Sequence, residues 1–82
     1  MGLDHRVDVA SGHAKVGEAL FARGDHARAL AEFRASLAIC QELAANDSTN
    51  AERQAALAIA HNEVGLALGA LKDLTGALAA YR

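Results

Sequence analysis

The sequence predicts an all-α chain in which antiparallel helical hairpins, about four helices in total, stack as a short solenoid. Three observations lead there. The 82 residues are 52% hydrophobic but only 4% aromatic, with no Trp and no Pro, so the apolar content is mostly Ala and Leu, which favour helix. The stretch "HAKVGEALFARGDHARALAEFR" at 13–34 returns as "HNEVGLALGALKDLTGALAAYR" at 61–82, with 11 identities in 22 positions at a shift of 48. Apolar residues recur at alternating steps of three and four, the spacing of one helical face. A unit repeating at such a period cannot bury its own apolar face and stacks on a neighbour.

The first helix is expected near 5–23, its face marked by Val9, His13, Val16 and Leu20. The second, near 26–45, carries Leu30, Phe33, Leu37, Cys40 and Ala44. Between them Gly24 suits the left-handed end of one helix, and Asp25 caps the start of the next. The third helix, near 51–71, is marked by Leu57, His61, Val64, Leu68 and Leu71. The fourth covers 74–82. In the second copy Lys72 replaces the glycine, which costs on the order of 1 kcal/mol if the same turn is kept. The polar connector "NDSTNAE" joins the hairpins, with Thr49 and Glu52 at capping-box spacing and Ser48 or Asn50 as other caps. One domain spans 1–82, with repeat one at about 2–49 and repeat two at about 50–82, the latter truncated in its second helix.

Eight basic and ten acidic residues, scattered singly, give a net charge of −2. That offers no basic stripe for nucleic acid and no polycationic segment for a membrane surface. No apolar run approaches the ~18 residues of a membrane span, and the polar start "MGLDHRVD" has no secretory character; a cytoplasmic location follows. Arg6 stands where a myristoylation signal needs Ser or Thr. The Asn46-Asp47-Ser48 sequon means little without secretion. The single Cys40 rules out an internal disulfide.

The repeat resembles the tetratricopeptide repeat, a helix-turn-helix unit with a usual period of about 34 residues. Gly17, Ala29 and Phe33 match the family pattern of a small residue in the first helix, Ala at the start of the second and an aromatic four positions on. Gly65, Ala77 and Tyr81 match again. The period of 48 looks like a variant with both helices lengthened, similar to tandem arrays in large bacterial proteins. The resemblance implies a right-handed superhelix. Gly17, Leu20, Ala29 and Phe33, with Gly65, Leu68, Ala77 and Tyr81, would pack its hairpins.

No catalytic signature is present: no His-Glu-x-x-His, Cys-x-x-Cys, phosphate loop or Gly-x-Ser-x-Gly. No enzyme, metal or cofactor is expected. His13 and His61 are expected as core-facing structural histidines, and Cys40 as a buried thiol on the apolar seam of its helix. The Arg23-Gly24-Asp25 tripeptide is explained by the hairpin turn. The resemblance further implies that first helices line a groove for a peptide or partner helix, through Ala14, Glu18 and Phe21 in one copy and Asn62, Leu66 and Gly69 in the other. Asn62 is either a ligand contact or a solvated residue, and Phe21 either groove or core. The function expected is a non-enzymatic protein-interaction scaffold. Its unfinished repeat predicts self-association as a homodimer or higher oligomer, with hairpins opened and exchanged as one route. The alternative is an assembly or regulatory segment of a larger signalling protein with no ligand of its own.

Overall fold

In a computed structural model, the backbone of residues 5–80 and the side chains of 5–75 and 78–80 are described. Three helices account for it: α1 (His5–Ala22), α2 (His26–Asn46) and α3 (Ala51–Ala80). The α1–α2 turn forms as the sequence dictates. Gly24 takes φ +85°, the left-handed conformation that only glycine adopts freely. The Asp25 amide donates to the Leu20 carbonyl at 2.9 Å and the Gly24 amide to the Phe21 carbonyl at 3.0 Å, the paired bonds of a Schellman end. The Asp25 carboxylate then accepts from the Arg28 amide at 3.3 Å and caps α2.

At the second turn Asn50 is the cap, accepting from the Arg53 amide at 3.1 Å. Thr49 instead donates its hydroxyl to Asp47 at 2.8 Å. Two side chains of the first turn of α3 reach back to the carbonyls that end α2: Arg53 Nη1 donates to Leu43 at 3.1 Å and Gln54 Nε2 to Ala44 at 3.4 Å. Carbonyls at a helix end have no partner within the helix, so these bonds satisfy them and fix the corner.

The expected break at Lys72–Asp73, and with it a separate fourth helix at 74–82, is corrected by the structure: α3 runs unbroken from Ala51 to Ala80. Among the described residues Gly24 alone has a positive φ. A turn at 72 would force a lysine into that conformation, whereas lysine inside a helix is favourable. Thr75 donates its hydroxyl to the Leu71 carbonyl at 2.9 Å, one turn back along the same helix. Residues 81–82, including Tyr81, lie outside the described residues.

α2 is the shared element. It packs on α1 and on α3, which barely touch each other. One core cluster joins Ala10, Cys40 and Ala60, and the other joins Ala29, Phe33 and Ala67. Phe33, Cys40, Leu43 and Ala44 of α2 are buried, but the buried apolar residues of α1 and α3 are alanines. Small residues let helix axes approach closely, and the larger side chains then straddle the edges of the contact. On α3 Leu57 and Val64 of the expected face pack against these clusters, and that face is corrected at His61 and Leu68. The buried positions are Ala60 and Ala67, while His61 is exposed and Leu68 is 44% exposed. His13, by contrast, is half-buried, with Nδ1 2.7 Å from Glu32 Oε1 of α2.

The seam of α3 continues beyond α2 as Leu71, Leu74 and Leu78, at the same steps of three and four that set Leu57, Ala60, Val64 and Ala67. Leu71 is half-buried, and Leu74 and Leu78 are 50% and 53% exposed.

The two repeat glycines meet different surroundings. A Cβ on Gly17 would lie 2.6 Å from Phe33 Cε1, whereas one on Gly65 would meet nothing within 4 Å. Gly17→Ala should therefore destabilise by about 1–3 kcal/mol through overpacking, and Gly65→Ala should stabilise by about 0.5–1 kcal/mol through helix propensity. Denaturant unfolding of both variants checks the opposite signs; two shifts of one sign would refute this packing.

Candidate functional groove

With α1 and α3 both seated on α2, an open groove of about 510 Å³ runs between them. Val7, Ala10, Ser11 and Ala14 of α1 form one wall, and Ala56, Ile59, Ala60 and Glu63 of α3 the other. Ser36, Cys40 and Leu43 of α2 form the floor. A shallower extension is lined by Glu18, Phe21 and Ala22, by Phe33, and by Glu63 and Leu66. Glu63 lines both and stands where they meet.

The structure brings four of the six expected groove residues to this surface. Ala14, Glu18, Phe21 and Leu66 line it, whereas Asn62 and Gly69 are exposed positions of α3 outside it. Phe21 lines the shallower part of the groove and also packs against the Ala29–Phe33–Ala67 cluster, with its ring edge-on to His26 at 4.6 Å. Cys40 is a buried free thiol on the floor. Among the expected packing residues, Gly17, Ala29 and Phe33 are buried and Leu20 is half-buried. Gly65 and Leu68 are exposed, and the Ala77 side chain lies outside the described residues.

Glu63 and Ile59 were not expected from the sequence. The shift of 48 sets Glu18 opposite Leu66, yet the carboxyl hydrogen-bonded to Glu18 is Glu63. Across the groove α3 is displaced from the repeat register by three residues, nearly one turn. The recoverable signal was the pattern shared by the two walls: Ala14, Glu18 and Phe21 have the same spacing as Ile59, Glu63 and Leu66.

Burial in the groove, the hydrogen bond to Glu18 and the Glu18 charge together push Glu63 up from 4.5 to about 7. Two carboxyls this close cannot both ionise cheaply, and desolvation adds to that cost. Among the described residues no group of three or more His, Cys, Asp or Glu side chains is placed to hold a metal ion, and no helix is long and apolar enough to cross a membrane. No family model, curated protein or solved structure matches this chain.

Since the folded state holds the Glu63 proton more tightly than the unfolded chain, stability is greatest below about pH 4.5 for this group and falls as pH rises toward 7. Solvent screening reduces the loss to about 1–2 kcal/mol. Glu63→Gln should remove it, so melting temperatures compared at pH 5 and pH 8 should differ less in the variant than in the wild type. An equal fall in both would assign the pH dependence to other groups.

Proposed function

We propose that the protein is a non-enzymatic interaction scaffold, similar in plan to tetratricopeptide repeats, that holds a peptide or partner helix in the groove between α1 and α3. The groove itself carries this reading. Its walls expose Ile59 at 60% and Leu66 at 56%, and a cleft that presents large apolar side chains beside a few polar groups is characteristic of interaction sites. The two walls are held apart by α2 rather than by each other, which leaves room for an extended or helical segment without reopening the core. In this proposal the chain works in the cytoplasm and needs no cofactor, metal, nucleic acid or membrane.

A second reading, an assembly segment of a larger bacterial signalling protein, is favoured by the exposed Leu74 and Leu78 on the projecting end of α3. The same leucines support self-association of the chain as a homodimer or higher oligomer, because covering them gains about 25 cal/mol per Å² of apolar surface.

Photo-crosslinking separates the readings. A crosslinking amino acid at Ile59 should capture protein partners in cell extract, and the same group at the exposed Ala38 of α2 should not. Capture from Ile59 should fall at least tenfold with Leu66→Glu. Equal capture from both positions would overturn the groove as the binding surface. Light scattering across a hundredfold concentration range should show mass rising above the monomer, and a monomer throughout would overturn self-association.

A further inference from the structure

The groove is more specific than an apolar cleft. Each wall presents an apolar residue, then a glutamate four positions on, then an apolar residue three positions further: Ala14, Glu18 and Phe21 on α1, and Ile59, Glu63 and Leu66 on α3. At 1.5 Å per residue these are successive turns. The glutamates of the middle turns line the same stretch of the groove from opposite walls, and Glu63 feels the Glu18 carboxyl beside it.

The remaining charged lining points the same way. α1 adds Asp8, and α3 adds Glu52 and Arg53; α2 contributes Ser36, Cys40, Leu43 and Phe33, with no Asp, Glu, Lys or Arg among them. Arg53, the cation of this lining, already donates to the Leu43 carbonyl. The surface is therefore acidic at its centre and apolar one turn to either side. Its complement is a segment with the reverse arrangement.

We propose that the groove selects a peptide segment or helix carrying one lysine or arginine flanked by apolar side chains a turn away on each side, with the cation seated on the Glu18–Glu63 pair. This rests on the groove being the binding surface and names the chemistry of its occupant. In the empty groove burial and the neighbouring Glu18 carboxyl favour the protonated form of Glu63. An arriving cation stabilises Glu63 as a carboxylate, since charge-assisted bonds to an ionised acceptor are stronger than neutral ones. The Glu63 proton leaves to solvent as the cation enters. Binding is consequently weaker where Glu63 is protonated and stronger where it is ionised, so affinity rises with pH through the neutral range. The flanking apolar side chains lie against Ile59 and Leu66 on one wall and Ala14 and Phe21 on the other; they supply affinity that does not depend on pH. An acidic segment meets repulsion at the same point, which gives discrimination as well as attraction.

The test uses the intact protein and a display library of random twelve-residue peptides selected at pH 8, with Leu66→Glu as the groove-blocked control. Selected peptides should share a lysine or arginine with apolar residues three or four positions to either side. In titration calorimetry their affinity should drop about tenfold from pH 8 to pH 6, the change expected when one carboxyl near pH 7 must ionise. Binding at pH 6.5 should release protons to the buffer. Glu63→Gln, which retains hydrogen-bonding capacity and whose helicity is verified by circular dichroism, should flatten this pH dependence. Peptides that need an open groove but lack a cation, or bind alike at both pH values, would overturn cation selection and leave the groove standing. If no selected peptide loses binding in Leu66→Glu, the groove itself is refuted and cation selection with it.

Discussion

The fold depends on how closely α2 can approach two neighbours at once. Phe33 sits against Gly17 so tightly that no Cβ fits there, and the α3 side of the same core cluster is the fully buried Ala67. One aromatic ring thus fixes the distance to α1 while a methyl group fixes the distance to α3. Since α1 and α3 are positioned by α2 and hardly by each other, the space between them stays open. The groove is a consequence of the packing and requires no loop to build it.

That arrangement explains the placing of the polar groups. His13–Glu32 and Arg6–Glu42 tie α1 to α2 along the edges of their contact, where partial exposure keeps such pairs inexpensive and individually weak. Arg53 and Gln54 tie α3 to the end of α2. Glu18 and Glu63 are the exception, because they link α1 directly to α3 and do so with like charges. A contact that favours folding only while Glu63 holds its proton is a poor structural fastener at neutral pH. It is easier to understand as a site whose missing counter-charge comes from outside the fold, in keeping with the tendency of strongly shifted groups to mark functional surfaces.

Much of this was legible in the sequence, and the rest was hidden for identifiable reasons. The first turn was readable because Gly24 and Asp25 each have one conformational task there. The α2 seam was readable because Phe33 and Cys40 are both distinctive and buried. The α3 face was read correctly at Leu57 and Val64 and misread at His61 and Leu68, because periodicity was followed through large residues whereas close packing buried Ala60 and Ala67. Alanine carries little signal in a chain where it is everywhere. Glu63 was missed for a different reason: repeats were aligned by sequence, and the facing walls are offset from that alignment by three residues. A shift of that kind is set by how the two helices seat on α2 and leaves no mark on either one alone.

The two copies of the repeat show how little separates a hairpin from a straight helix. Residues 13–34 and 61–82 agree at half of their positions, yet the first doubles back at Gly24 and the second, through its described residues, continues past Lys72. The first turn combines a residue free to take positive φ, a capping aspartate and a packed face for α2 to return to. The second keeps an aspartate at position 73 but lacks the glycine. Without it, Asp73 lies inside a helix, where it has no free amides to cap, and the local preference of Lys72 for helix prevails. The penalty for a left-handed lysine is only on the order of 1 kcal/mol, comparable to a single hydrogen bond. The geometry of the second copy is therefore a narrow local decision. Its result is to carry Leu74 and Leu78 out along the α3 seam, where each is left about half exposed.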